Sequence, residues 1–499
     1  MNISYKQKVL VLILISVLLR LFLAGVLEFG NDEVYYWLYA KYPDVSHFDH
    51  PPMVGFFIQF FTGNLYFDSE LAIRLAAIIP SGLSMYVVFL IGSYLKDSRT
   101  GFIACLLYCI SIYGFIISGI LILPDSPLVL FWLLSYYFFI QTIPNTPEKK
   151  YHVKLLLGFL FSGLAIYSKY QGVYVLFGVC IYVLFSNRKW LKNAFFYLGF
   201  IFPLTAIALV FYWNYTNDFV SYKFHGNRVS FFSSQFNKNS FIREILGQFI
   251  YNNPYIVITL VLLLIAIWKK KFHFSKNYIA FFFYCSFPLI LTTIYLSISR
   301  NTLPHWSGVS YLTFLPLIAT FLSERKKNIT KRLSIGIVVF SVLMITTTFV
   351  INNGLFLPEE NSVQKEKLGR KDALLDMYGW EQASEKITQV FKEEYVSDLP
   401  IISNRWYPAA HIDYYIARPN DMKVYGIGNL NEIHKYYWIN QTYSELGDEV
   451  LYITDSRNFK NPETLFEHSY SKINLLRTLP IERSGVVVKY VFLYKLSKV

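Results

Sequence analysis

Long apolar runs, separated by short polar and often basic stretches, make up the chain as far as about residue 352, where the pattern turns mixed and alternating. A helix crossing a bilayer needs roughly 20 mainly apolar residues. Eleven runs qualify: about 9–28, 71–95, 101–122, 126–142, 154–168, 171–186, 194–213, 250–268, 278–298, 306–323 and 333–352. The fifth and sixth are short and share a tight turn at 168–172. The first has no small-residue cleavage site and reads as a retained span. Beyond 352, residues 380–393 show helical spacing with one charged face. Residues 399–403, 423–425, 449–454 and 486–496 are short β-type runs. The predicted fold class is a polytopic α-helical membrane protein with about eleven transmembrane helices and a small soluble C-terminal α/β or α+β domain. The expected boundaries are 1–352 for the membrane domain, with outer loops 29–70 and 214–249, and 353–499 for the soluble one.

Composition agrees: 54% of residues are hydrophobic, 19% aromatic and only 16% charged, which is membrane-protein composition. A net charge of +13 would in a soluble chain suggest nucleic acid, but here the basic residues sit in short clusters between apolar runs, and no nucleic-acid partner is expected. Taking alternate loops, the set that includes the N-terminus holds nineteen Lys and Arg, against seven in the other set. The positive-inside rule therefore puts the N-terminus in the cytoplasm, and an odd number of spans puts the C-terminal domain outside. The four cysteines all lie in apolar runs and suggest neither disulfides nor a zinc cluster. The chain contains no Asp-x-Asp pair, so the metal clamp usual for nucleotide sugars has no place.

This topology gathers several polar segments on the outer side. Residues 31–52, NDEVYYWLYAKYPDVSHFDHPP, join the first two spans. Acids beside aromatic rings suit sugar chemistry, since a carboxylate takes a hydroxyl proton and a ring stacks on an apolar sugar face. An interfacial aromatic belt leading an N-capped helix explains the same residues more simply. Asp32 and Glu33 are either capping groups or a reactive pair. Asp49 and His50, before Pro51-Pro52, suit a phosphate or a divalent cation, or merely a polar loop. Asp125, in Leu123-Pro124-Asp125-Ser126-Pro127, is either an N-cap or a second acid of the site. Lys169 either snorkels or holds a phosphate as a point charge. His225, Arg228 and His305 add donors on the same side, and the 214–248 loop is a candidate lid. Arg20 and Arg74 fall inside spans, where a charge faces protein or a wet cavity; an ion pair with an acid is the first expectation, phosphate binding the second.

As a set, Asp32-Glu33 after the first span, the later FDHPP, the LPDSPL turn, the SKY turn, the late HW and the soluble tail resemble the GT-C glycosyltransferases. The similarity covers about residues 5–350. The nearest branch, families 39 and 83, includes bacterial lipid A aminoarabinose transferases, protein O-mannosyltransferases and lipopolysaccharide-core galacturonosyltransferases. It implies an inverting transferase that takes a sugar from a polyprenyl-phosphate donor to a lipid, glycan or protein acceptor of the envelope. The site would lie at the outer face of the bacterial cytoplasmic membrane. By the same resemblance Asp32 is the general base or acceptor-orienting acid, Glu33 its neighbour, Asp125 the second acid and Lys169 a residue near the lipid phosphate. Asp49-His50 stands where the aminoarabinose branch has Glu-Lys, which puts metal or phosphate binding there in question. A divalent metal at Asp49, His50 and Asp125 is the one cofactor to test for. A flippase for a lipid-linked sugar is the rival reading, although the chain shows no internal repeat of the transporter kind; a membrane scaffold with a partner-binding tail is a second.

Overall fold

The structure is a computed structural model that describes residues 4–228, 236–325, 328–355, 364–443 and 446–498, the side chains of Asn227 and Arg228 excepted. The chain forms two compact units. One comprises Met1–Ala24 and Pro43–Val342, the other Gly25–Tyr42 and Leu343–Val499. The second unit thus takes in a short N-terminal segment as well as the C-terminal region.

The first unit is helical. It contains α1 (Tyr5–Ala24), α3 (Met53–Thr62), α4 (Glu70–Leu95), α5 (Ser98–Ile110), α6 (Asp125–Ile140), α7 (His152–Ser168), α8 (Val173–Ser186), α9 (Ala194–Gly199), α10 (Ile201–Thr216), α11 (Val220–Arg228), α12 (Lys238–Tyr251), α13 (Pro254–Trp268), α14 (Lys276–Ser297), α15 (Gly308–Arg325) and the first part of α16 (Ile329–Asn353); α2 (Asn31–Lys41) belongs to the second. Among the described residues seven helices are long and apolar enough to cross a membrane, or eight if the pair α12 and α13, bent by 98°, is one span. The protein is therefore a multi-pass membrane protein, with fewer full-length spans than the eleven runs suggest.

The shortfall has physical reasons. The run at 101–122 is interrupted: α5 ends at Ile110 and a π-helical turn follows at Tyr113–Ile117. Such turns release backbone groups that neighbouring helices must satisfy. Helices α6 and α8, at 16 and 14 residues, are too short to cross alone. Burial sorts the long helices: 89% of the apolar window that includes α15 is buried, against 22% for α16. The first is a core helix, and the second presents most of its surface outward, as a lipid-facing helix does. Local caps start several of them; the Asp97 carboxylate accepts the Thr100 N–H at 2.7 Å ahead of α5.

The second unit is built on a five-stranded sheet of β1 (Ile401–Ser403), β2 (Val424–Gly426), β3 (Glu449–Asp455), β4 (Lys472–Arg483) and β5 (Val486–Ser497), in the order β2-β1-β3-β5-β4. The β1 strand runs parallel to β2 and β3, while β3 with β5 and β4 with β5 are antiparallel. Ser484 and Gly485 both have positive φ, the geometry of the two-residue turn that matches strand twist. Strands β1, β2, β3 and β5 and helix α17 (Trp380–Glu394) coincide with the β-type and helical runs of the sequence. The β4 strand does not: it is an edge strand with mixed exposure and a proline, Pro480, and edges tolerate such residues.

Helix α2 is an integral part of this second unit. Every residue from Glu33 to Ala40 is buried. Tyr35 packs edge-on against Trp406 at 4.9 Å, and Trp37 against Tyr414 at 5.2 Å. Trp406 lies on α18 (Trp406–His411), which leads into a π-helical stretch, Ile412–Ala417, carrying Tyr414. These rings are core side chains, so they serve neither as a sugar platform nor as an interfacial belt.

Candidate active site

The start of α2 separates the two neighbouring acids. The N-cap is Gly30, so Asp32 is not the cap but lies in the first turn with its side chain exposed. Glu33 is buried and its carboxylate accepts the Gly30 N–H at 3.1 Å. That is one half of a capping box; glycine has no side chain for the other half. Both acids favour the positive end of the helix, but Glu33 faces inward and Asp32 outward. His411 Nε2 also meets Asn31 Oδ1, at 3.1 Å, beside this turn.

In the membrane unit Asp125 is likewise no N-cap. It is the first residue of α6, whose cap is Pro124 with no side-chain bond. The buried Asp125 carboxylate accepts from Lys169 Nζ at 2.7 Å and from the Tyr113 hydroxyl at 2.8 Å. Lys169 is the C-cap residue of α7, and its own carbonyl accepts the Gly172 N–H at 2.8 Å. Gly172 is needed for this turn, because a Cβ there would come within 2.3 Å of the Ala165 backbone. A second glycine admits Tyr113: a Cβ at Gly308, the first residue of α15, would sit 2.3 Å from the tyrosine ring. Both charges of the pair are almost wholly buried, at 3% side-chain exposure each. Such a pair is favourable only when further hydrogen bonds complete it, and the Tyr113 hydroxyl is one. His305, in the 3-10 turn Pro304–Ser307 before α15, lies within electrostatic reach of both Asp125 and Lys169.

The loop at 43–52 is fastened to the same unit. Asp44 accepts from the Trp213 indole at 2.8 Å, the Val45 carbonyl from Tyr167 at 2.7 Å, and the Asp49 carbonyl from His225 Nε2 at 2.8 Å. Tyr170, next to Lys169, packs against His225 at 5.1 Å and His50 at 6.4 Å. The structure therefore brings Asp49, His50 and His225 together around Tyr170, and groups Asp125, Lys169 and His305. Among the described residues no three His, Cys, Asp or Glu side chains are arranged to hold a metal ion. The Arg228 side chain lies outside the described residues. Arg74 donates to the Ala24 carbonyl at 2.8 Å. Arg20 is held by the Phe115 carbonyl at 3.2 Å, the Ser16 hydroxyl at 2.6 Å and the face of the Phe115 ring at 4.2 Å. The ion pair expected for Arg20 is not what holds it; a carbonyl, a hydroxyl and a ring satisfy the guanidinium instead.

Two groups escaped the sequence reading. Tyr113 is one tyrosine among many in an apolar run, and only the break after α5 turns it toward Asp125. Glu244, fully buried on α12, left a clearer trace: it is the only acidic residue between Asp218 and Glu324.

Apolar spans, a buried charge pair inside the helical unit and a small mixed-sheet unit make up a polytopic membrane protein, and its fold, of the GT-C type, is shared with a solved structure. The crystal structure of ArnT from Cupriavidus metallidurans bound to undecaprenyl phosphate has the same fold: TM-score 0.66, 12% identity, 98% of each chain covered. ArnT from the same organism in the apo state matches with a TM-score of 0.64 at 11% identity, again over 98% of each chain. The family model described as dolichyl-phosphate-mannose-protein mannosyltransferase matches residues 49–213. A search of the curated proteins finds no match.

Proposed function

We propose that the protein is an inverting glycosyltransferase that moves a sugar from a polyprenyl-phosphate donor to an envelope acceptor (a lipid, a lipopolysaccharide or other glycan, or a protein) at the outer face of the bacterial cytoplasmic membrane. The observation that carries this reading is the Asp125–Lys169 pair, completed by Tyr113 and approached by His305, inside a membrane unit. A lysine held in this unit suits an anionic lipid headgroup as a point charge. Two comparisons support the donor class: ArnT was crystallised with undecaprenyl phosphate, and the family model takes its description from dolichyl-phosphate-mannose.

In this mechanism the acceptor hydroxyl oxygen attacks the anomeric carbon from the side opposite the phosphate. The Asp32 carboxylate takes the hydroxyl proton. The bond from anomeric carbon to phosphate oxygen breaks, its electron pair leaves with the polyprenyl phosphate, and one displacement inverts the configuration. Lys169, with His305 and His225, meets the added phosphate charge, and Asp125 holds Lys169 in place. The leaving group is already good, so positioning, charge and one proton transfer are sufficient. No metal is needed in this scheme.

The test is release of free polyprenyl phosphate from a panel of polyprenyl-phosphate sugars, using solubilised protein with a crude envelope extract as acceptor. Wild type is expected to release it from one donor. Asp32→Asn should lose about two to four orders of magnitude in rate while a cooperative melting transition shows the chain still folded, since Asp32 is exposed. Near wild-type activity in that variant would remove Asp32 as the base. Lipid flipping in vesicles without any release would favour the flippase.

A further inference from the structure

One face of α12 grips the segment that carries His305. Glu244 is buried, and among the described residues no cation pairs with it: its carboxylate accepts from the Thr302 hydroxyl at 2.6 Å and from Gln248 Nε2 at 2.7 Å. Gln248 Oε1 in turn accepts the Tyr311 hydroxyl at 2.8 Å, and Gln248 Nε2 also reaches Thr293 Oγ1 at 3.1 Å. One turn earlier, the Ser240 hydroxyl donates to the Arg300 carbonyl at 2.5 Å, and Arg243 donates to the Thr302 carbonyl at 3.1 Å. One turn on, Gly247 lies so close to Pro304 that a Cβ would fall 2.3 Å from its ring. Residues 240, 243, 244, 247 and 248 repeat at helical spacing on one face. That face therefore holds residues 300–304 continuously, and His305 follows directly.

A carboxylate buried beside two neutral donors is an expensive way to fill space. An apolar residue would pack there with less penalty. What the acid adds is direction, since its two oxygens fix Thr302 and Gln248 at once.

We propose that this face of α12 is a clamp that sets the position of His305, with Glu244 as the positioning residue, and that it thereby controls binding of the lipid-linked phosphate. The proposal rests on the reading that His305 meets the donor phosphate. Helix α12 follows α11, which carries His225, and each is tied near the site: His225 to the Asp49 carbonyl, and α12 to the stretch just before His305.

The experiment measures binding of undecaprenyl phosphate to the solubilised full chain, together with KM for donor and acceptor. Glu244→Ala is expected to weaken binding on the order of 10- to 100-fold, as a displacement near 1 Å at a reacting site does, and to raise donor KM while leaving acceptor KM unchanged. Gln248→Glu alone should also weaken binding, by placing two acids one turn apart. The double variant Glu244→Gln/Gln248→Glu exchanges amide and carboxylate. Thr302 then donates to the amide oxygen at 244, the amide nitrogen donates to the carboxylate at 248, and Tyr311 and Thr293 donate to that carboxylate. It should restore binding to within about threefold of wild type, a recovery that simple space-filling at 244 would not produce. Wild-type binding by Glu244→Ala, or a double variant that melts with wild type but binds no better than the single ones, overturns the clamp and leaves the donor reading standing. A wild-type chain that does not bind the lipid overturns both.

Discussion

The same three side chains meet twice in this protein. In the membrane unit Asp125 accepts from Lys169 at 2.7 Å and Tyr113 at 2.8 Å; in the second unit Asp413 accepts from Lys41 at 2.9 Å and Tyr436 at 3.2 Å. The surroundings differ. Lys169 is sealed, whereas Lys41 keeps 28% of its side chain exposed and lies over the Trp37 ring at 4.8 Å. A pair that retains contact with water is a fastening, here joining the end of α2 to the 412–417 stretch. A pair with both charges removed from water is retained at a large desolvation penalty, which fits a site that handles charge. Acid, lysine and tyrosine alone do not mark an active site; what surrounds them does.

Breaking the sealed pair should have the larger effect. Lys169→Met leaves a buried, uncompensated carboxylate and should destabilise the membrane unit by about 3–5 kcal/mol while abolishing transfer. Thermal unfolding in detergent and the release assay read the two losses. A stable, active Lys169→Met would end the distinction between the pairs. Lys41→Met should cost only about 1 kcal/mol, because the lysine is partly screened by water, and should leave donor KM unchanged. Burial raises the Asp413 carboxyl above the usual aspartate range against the pull of the Lys41 charge, so loss of Lys41 shifts it further in the same direction. A loss as large as that at Lys169 would show that the two pairs are equivalent.

A smaller effect sharpens the picture of the second unit. His411 stacks on Trp380 at 4.3 Å, and burial together with the Lys489 and Arg457 charges holds its pKa well below 6.5. The unfolded chain therefore binds a proton near pH 6.5 that the folded chain does not. Stability from this group is complete above that pH and declines as the pH falls below it, by up to about 1.4 kcal/mol per unit. Melting temperatures measured from pH 7.5 down to 5.5 should drop for wild type and much less for His411→Gln.

The sequence shows the membrane class, the change of character near residue 352 and four of the five strands, because each is a local pattern. Partnerships are less legible. Lys169 and Asp125 are 44 positions apart, and nothing in either neighbourhood indicates that the two side chains touch. Asp32 and Glu33 look alike as a dipeptide, yet a helix that starts at Asn31 instead of after the acids turns one outward and one inward. The aromatic residues of α2 suggested a surface role, since their partners Trp406 and Tyr414 lie more than 370 positions downstream. Glu244 stands as an isolated acid in the sequence, but nothing there names its two donors, Gln248 one turn on and Thr302 58 positions downstream.

The assignment of α2 to the second unit also governs how the protein is made. Lys41 and Asp413 are 372 residues apart, and a ribosome adding about 5–20 residues per second needs roughly 20–75 s to cover that distance. For that interval an eleven-residue helix whose residues from Glu33 to Ala40 are buried in the folded unit has been synthesised while the region that covers them has not, and a helix of that length is marginal by itself. The acid at its start can be set in place only after the last region of the chain has emerged. With Asp32 in the role proposed for it, maturation of the site is a late event of biosynthesis, and a chain cut short before residue 413 is expected to lack the support of the helix that bears Asp32.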